Sequence, residues 1–143
     1  MGASSSINAL NPPKIHVCKP LIHTDLTNMN DMEIILKNYG FRVSSTNSEN
    51  NISNVQKDIF ESDIVIICIA KCTIKCFNQL REFDYTKRCY KKCIYVMLDS
   101  DYNPDYESWI NRTIKDCPWI SCVTRDDIES TSQFLYREIS TRI

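Results

Sequence analysis

The stretch Ile64-Val65-Ile66-Ile67-Cys68-Ile69 decides the fold. Its residues are apolar without a break, where a half-buried strand would alternate with polar positions, so both faces need cover. A strand of that kind belongs in the middle of a parallel sheet with helices on either side. Ile94-Tyr95-Val96-Met97-Leu98 is the next such segment. The residues between the two leave room for a helical crossover, so the two strands are expected to lie side by side and point the same way.

Working outward, Ile15-His16-Val17-Cys18 reads as a short strand stopped by Pro20. Residues 25–39 carry Leu26, Met29, Met32, Leu36 and Tyr39 at three- and four-residue spacing before Gly40, the pattern of a helix with a glycine stop. Phe41-Arg42-Val43 is a second brief strand, and Ser44 to Asn51 is polar enough to predict a solvated loop. Ser53-Asn54-Val55-Gln56 has the spacing of a capping box, opening a helix with Val55, Ile59 and Phe60 on its apolar side. Residues 73–87 are expected to be helical with Ile74, Phe77, Leu80 and Phe83 inward. A short amphipathic segment around Tyr106 to Ile114 leads to an edge strand at Trp119-Ile120-Ser121. Thr124 then caps a last helix whose buried stripe is Ile128, Phe134, Leu135 and Ile139. Alternating strands and helices predict an α/β fold of three layers: a five-stranded parallel sheet of flavodoxin-like type, flanked by helices. Ligands of such sheets are met at the carboxyl ends of the strands, here near Lys19, Ser44 to Asn51, Ala70 to Thr73 and Asp99 to Asn103.

Composition agrees with one folded domain. The chain has 143 residues, 43% hydrophobic and 24% charged, with 17 basic and 18 acidic side chains. Collagen-like and globally disordered readings are excluded, and the balanced charge provides no reason to expect nucleic acid as a partner. Eight cysteines would suggest a disulfide framework in a secreted chain, but Met1-Gly2-Ala3-Ser4-Ser5-Ser6 lacks the features of a signal peptide, so reduced thiols in a cytoplasmic setting are expected. The sequons at Asn51 and Asn111 carry no meaning in that setting. No Cys-x-x-Cys pair occurs, and His16 and His23 have no link in sequence to any thiol, so no metal site is expected.

Met1-Gly2 followed by Ser6 fits the acceptor pattern for N-myristoylation at Gly2. Residues 1–13, ending Asn11-Pro12-Pro13, read as a flexible tether to the domain at 14–143. One acyl chain gives marginal attachment, so a second signal is needed for stable placement on the cytosolic face of a membrane. Between Lys71 and Lys92 seven basic residues stand against Glu82 and Asp84, and Asp99 to Asp116 reverses the sign. Such faces are suited to head-to-tail association or, on the basic side, to a membrane surface; they are equally what two solvated faces look like.

Glu61 to Ile69, Gln79-Leu80-Arg81-Glu82-Phe83-Asp84-Tyr85 and Lys92 to Asp99 together resemble the middle of a TIR domain. The polar loop after the second strand takes the place of that family's BB loop, and Trp109 falls where the family carries a tryptophan after its fourth strand. The resemblance implies self-association through the loop Ser44, Ser45, Thr46, Asn47, Ser48, Glu49, Asn50 and Asn51, with other TIR domains as partners and a homo-oligomer as the assembly. In some members it implies cleavage of NAD⁺, taken as substrate rather than cofactor.

The catalytic branch carries Ser-x-x-Tyr-x-x-Ser-x-x-Cys-x-x-Glu after the third strand. Those places hold Ala70, Thr73, Cys76, Gln79 and Glu82, so only the glutamate is kept. Asn78 replaces a frequent tryptophan, with Phe77 beside it, and Val17-Cys18-Lys19-Pro20 replaces the usual aromatic and serine of the first strand. The resemblance thus implies Glu82 as the catalytic residue and Lys19, Ala70, Cys76 and Phe77 as substrate contacts. Nicotinamide leaves NAD⁺ as a neutral molecule, so one carboxylate near the developing oxocarbenium ion suffices. On a helix beginning at Thr73, however, Glu82 lies about 13 Å from the start, and a bent or looped segment would be required to bring it to the cleft. Its competing reading is a surface carboxylate beside Arg81. With four of five motif places changed, a membrane-tethered adaptor acting by TIR–TIR contact ranks ahead of an NAD⁺ glycohydrolase.

Overall fold

The computed structural model describes residues 12–20, 27–46, 52–70, 77–99 and 118–142, apart from the side chains of Ile52, Ser53 and Phe77. Strands β1 (Lys14–Cys18), β2 (Arg42–Ser45), β3 (Ile64–Ile69), β4 (Lys92–Met97) and β5 (Trp119–Ser121) form one sheet in the order β2-β1-β3-β4-β5. All four pairings are parallel. Ile64 lies opposite Lys92 and Ile69 opposite Met97, so the two apolar segments run together in one direction, as their composition predicts. The chain steps from β1 outward to β2, then returns past β1 to β3. This is the flavodoxin-like winding, and its topological switch point falls between β1 and β3.

Helices α1 (Thr27–Asn38), α2 (Ile52–Glu61), α3 (Phe77–Arg88) and α4 (Ile128–Arg142) supply the outer layers. Side chains alternate along a strand, and β3 accordingly feeds two cores. Ile64, Ile66 and Cys68 pack with Met29, Met32, Leu36, Leu135 and Ile139 of α1 and α4, whereas Val65, Ile67 and Ile69 pack with Val55, Ile59 and Phe83 of α2 and α3. Each such isoleucine or leucine contributes about 1.5–3 kcal/mol by leaving water, which explains why the run cannot tolerate an alternating pattern.

Two helices stop in the same way. Gly40, at φ 103°, donates to the Lys37 carbonyl at 3.0 Å while Phe41 donates to Leu36 at 3.3 Å. After α3, Tyr90 takes the glycine's place at φ 54°, with Tyr90 N–H on Lys87 at 3.0 Å and Lys91 N–H on Thr86 at 3.3 Å. Such a left-handed stop suits glycine and costs a side-chain-bearing residue about 1–2 kcal/mol.

Several expectations need correction. Ser44 and Ser45 belong to β2, because pairing with His16 and Val17 of β1 overrides their polar composition. Thr46 is buried rather than solvated. Phe60 is 64% exposed: one residue past the inward Ile59, it is turned about 100° away and sits under the Lys91 ammonium at 5.5 Å. Helix α2 begins at Ile52, which puts Ser53 inside its first turn instead of at a capping position. Thr124 does cap the end of the chain's fold, through a 3₁₀ turn (Arg125–Asp127) that runs into α4. There the Asp127 carboxylate accepts from the Val123 and Thr124 amides at 3.0 and 3.1 Å. The acylation motif at Gly2, most of the tether, Asn47 to Asn51, Ile74, Cys76, the segment Tyr106 to Ile114 and Trp109 lie outside the described residues. Among the described residues no helix is long and apolar enough to cross a membrane.

Candidate functional site

At the carboxyl ends of β1 and β2, on the side covered by α3, a cluster of polar side chains replaces the apolar core. Alternation along β1 sends Ile15 and Val17 to one face and His16 and Cys18 to the other. The parallel register sets Ser44 opposite His16, and Thr46 follows at the end of β2, its amide bonded to the Val17 carbonyl at 3.0 Å. Helix α3 supplies Gln79 and Glu82, three residues apart and therefore on one face of the helix. All of these except Ser44 are nearly excluded from solvent: His16 0%, Cys18 0%, Thr46 3%, Gln79 1% and Glu82 2% exposed.

Glu82 is thus an interior group, not the surface carboxylate that its neighbour Arg81 suggested. Geometry explains the difference. The described helix begins at Phe77, which places Glu82 five residues along it, about 7.5 Å from that point; residues 73–76, where a bend or loop is expected, lie outside the described residues.

The hydrogen bonds around Glu82 have a direction. Thr46 donates its hydroxyl proton to Glu82 Oε1 in a short contact. That proton being committed, the approach of His16 Nε2 to Thr46 Oγ1 at 3.4 Å requires the imidazole to carry hydrogen on Nε2. The same nitrogen lies 3.8 Å from Glu82 Oε1. In the neutral ring Nδ1 is then an acceptor, and Ser44 Oγ, 2.9 Å away, donates to it. The Thr46 hydroxyl thus donates directly to the carboxylate, with the His16 N–H behind it.

Cys18 and Cys68 are poorly suited to act as nucleophiles. Burial pushes the Cys18 thiol well above its ordinary value, and the adjacent Glu82 charge adds to that shift. Cys68 is raised too, by burial first and then by Glu33. Thiols held protonated in this way react poorly.

The remaining predicted contacts are distributed unevenly. Lys19 turns to α1, where it forms a buried pair with Glu33 at 2.9 Å and also donates to the exposed Asn30 at 3.3 Å. Ala70 is buried directly after β3, while Cys76 and the Phe77 side chain lie outside the described residues. Ser44 and Thr46, expected in an interaction loop, belong to the polar cluster. His16, Cys18 and Gln79 were legible only as residues sharing a strand face or a helix face. Their joining depends on the β1–β2–α3 packing.

No protein-family model matches the chain, and no curated protein matches it in sequence. Solved structures do share its fold. A CMP N-glycosidase from Clostridium botulinum superposes with a TM-score of 0.59 at 11% identity, covering 85% of this chain and 98% of that one. A CheY-like response regulator receiver domain protein from Methanospirillum hungatei gives 0.53 at 14% identity, covering 90% and 97%. Identities this low speak for the fold alone. The chain is a flavodoxin-like domain with a buried, hydrogen-bonded glutamate at the carboxyl end of its sheet.

Proposed function

We propose that the protein is a nucleotide N-glycosidase, with NAD⁺ as the foremost substrate and Glu82 as the catalytic residue. The observation that carries this reading is the burial of Glu82 at the carboxyl ends of β1 and β2, with Thr46 donating to it. Ligands of doubly wound sheets are met at these strand ends. The TIR resemblance puts a catalytic glutamate at the same residue, and the CMP N-glycosidase is a fold neighbour whose named activity breaks the same kind of bond.

In the proposed reaction the bond between the ribose anomeric carbon and the nicotinamide nitrogen breaks, and its electron pair leaves with the ring, which becomes neutral. Positive charge develops on the sugar, where the Glu82 carboxylate stabilises it. Water then adds to the anomeric carbon and releases one proton to solvent, giving nicotinamide and ADP-ribose. Because the leaving group is already activated by its charge, this needs no second carboxyl group, unlike ordinary glycoside hydrolysis. Thr46 and His16 are positioning residues, holding one oxygen of the carboxylate so that the other is free to face the sugar.

Nicotinamide release from NAD⁺ by the full chain, followed by chromatography, tests the proposal, with cytosine release from CMP as a parallel arm. A carboxylate about 4 Å from unit positive charge contributes roughly 4 kcal/mol at an effective dielectric of about 20, so Glu82→Gln should slow turnover about 10³-fold. No release of either base, or release that Glu82→Gln leaves intact, overturns the reading.

The adaptor reading has one observation in its favour. Phe60 and Tyr90 are 64% and 93% exposed, with Lys91 lying over the Phe60 ring, an apolar and cationic surface at the amino end of the sheet. If it mediates self-association, sedimentation of the full chain should show a concentration-dependent oligomer that a Phe60→Ser/Tyr90→Ser variant loses.

A further inference from the structure

Gln79 has one half of its amide in use and the other half idle. Its Nε2 donates to the Cys68 carbonyl at 2.6 Å. Turning the amide over would bring two oxygens together at that distance, so the carbonyl of Cys68 fixes its orientation. Oε1 is consequently held in place, fully buried, and has no hydrogen-bond partner among the described residues. Native structures leave few such acceptors, and each one calls for a reason.

The position supplies one. Gln79 and Glu82 stand three residues apart on one face of α3, so the Gln79 amide flanks the carboxylate assigned to the anomeric carbon. On a ribonucleotide the nearest donor to that carbon is the 2′-hydroxyl, carried by the adjoining carbon. We propose that Gln79 Oε1 accepts a hydrogen bond from the 2′-hydroxyl of the substrate ribose, so that the site selects ribosyl over 2′-deoxyribosyl nucleotides. This specificity residue deepens the N-glycosidase reading of Glu82 and rests on it. Oε1 is already buried and unpaired among the described residues, so the 2′-hydroxyl would supply its missing donor and tighten binding, whereas the analogue gains no such bond.

Binding tests it better than turnover, because the 2′-hydroxyl also alters the intrinsic lability of the glycosidic bond. In the Glu82→Gln chain, calorimetry should find NAD⁺ bound about 10- to 100-fold tighter than the analogue lacking the 2′-hydroxyl on the nicotinamide ribose. Adding Gln79→Met should weaken NAD⁺ to the level of the analogue while leaving the analogue itself within about twofold, a pattern that general damage would not produce. Equal binding of the two probes before that change overturns the proposal, and so does a preference that survives it. Should Gln79→Met fail to fold, the comparison of the two probes on the parent variant decides alone. Selective binding with no nicotinamide release by the Glu82-containing chain would sink the hydrolase and keep the subsite. Glu82-dependent release without selectivity would do the reverse, and absence of binding by either probe rejects both.

Discussion

Replacing Thr46 by valine keeps the volume and the β-branched shape of the residue and deletes only its hydroxyl. That hydroxyl is the donor to Glu82 Oε1 and the acceptor for His16 Nε2–H, in a position 3% exposed. A hydrogen bond to a charged group is worth about 1.5–3 kcal/mol, and no water is at hand to replace it at a buried carboxylate. With a urea dependence of about 2 kcal/mol per molar, the unfolding midpoint should fall by about 1 M. Repeating the substitution in a Glu82→Gln background supplies the control. There the lost bond is neutral to neutral, worth about 0.5–1.5 kcal/mol, so the two backgrounds should differ by about 1 kcal/mol or more. Urea titrations followed by far-ultraviolet circular dichroism on all four proteins give both quantities. A Thr46→Val midpoint equal to that of the parent, or one equal cost in the two backgrounds, would refute the claim that this hydroxyl serves a buried carboxylate.

Further outcomes follow from the same coordinates. Lys19→Met strands the Glu33 carboxylate in a buried site and should destabilise the fold by about 3–5 kcal/mol, whereas pairing it with Glu33→Leu should recover most of the loss. Because burial raises the Cys18 and Cys68 thiols above their ordinary value of 9.0, the unfolded chain gives up those protons first. Stability should hold below about pH 9 and fall above it by up to about 1.4 kcal/mol per pH unit per thiol, and Cys68→Ala should remove one share of that slope. At pH 8 a thiol reagent should reach the half-exposed Cys89 and Cys93 well before Cys18 or Cys68. Tyr90→Gly relieves a left-handed backbone at a side chain 93% exposed and should raise stability by about 0.5–1 kcal/mol, seen as a higher melting temperature.

Much of the architecture could be read along the chain because each signal was local. The unbroken apolar run at 64–69, the three-and-four spacing of Met29, Met32 and Leu36, and the glycine after α1 each describe a segment by its own periodicity. Misreadings arose where a partner element set the outcome. Ser44 and Ser45 look like loop residues until β1 offers them a ladder, and Phe60 looks apolar enough for the core although its place on the helix turns it outward. The site followed the same division. Glu82 could be singled out only through the TIR resemblance, and nothing near it in sequence distinguishes a surface carboxylate from a buried one.

What the sequence determined by itself was the kind of each element and the parallel, two-sided sheet, since periodicity and apolar content act over a few residues at a time. Only the tertiary structure decided that His16, Thr46, Gln79 and Glu82, drawn from β1, the end of β2 and α3, share one dry space. The physical reason is that burial and hydrogen-bond partnership are properties of juxtaposed elements. A carboxylate acquires both only when strand register and helix packing bring distant donors to within about 3 Å of it.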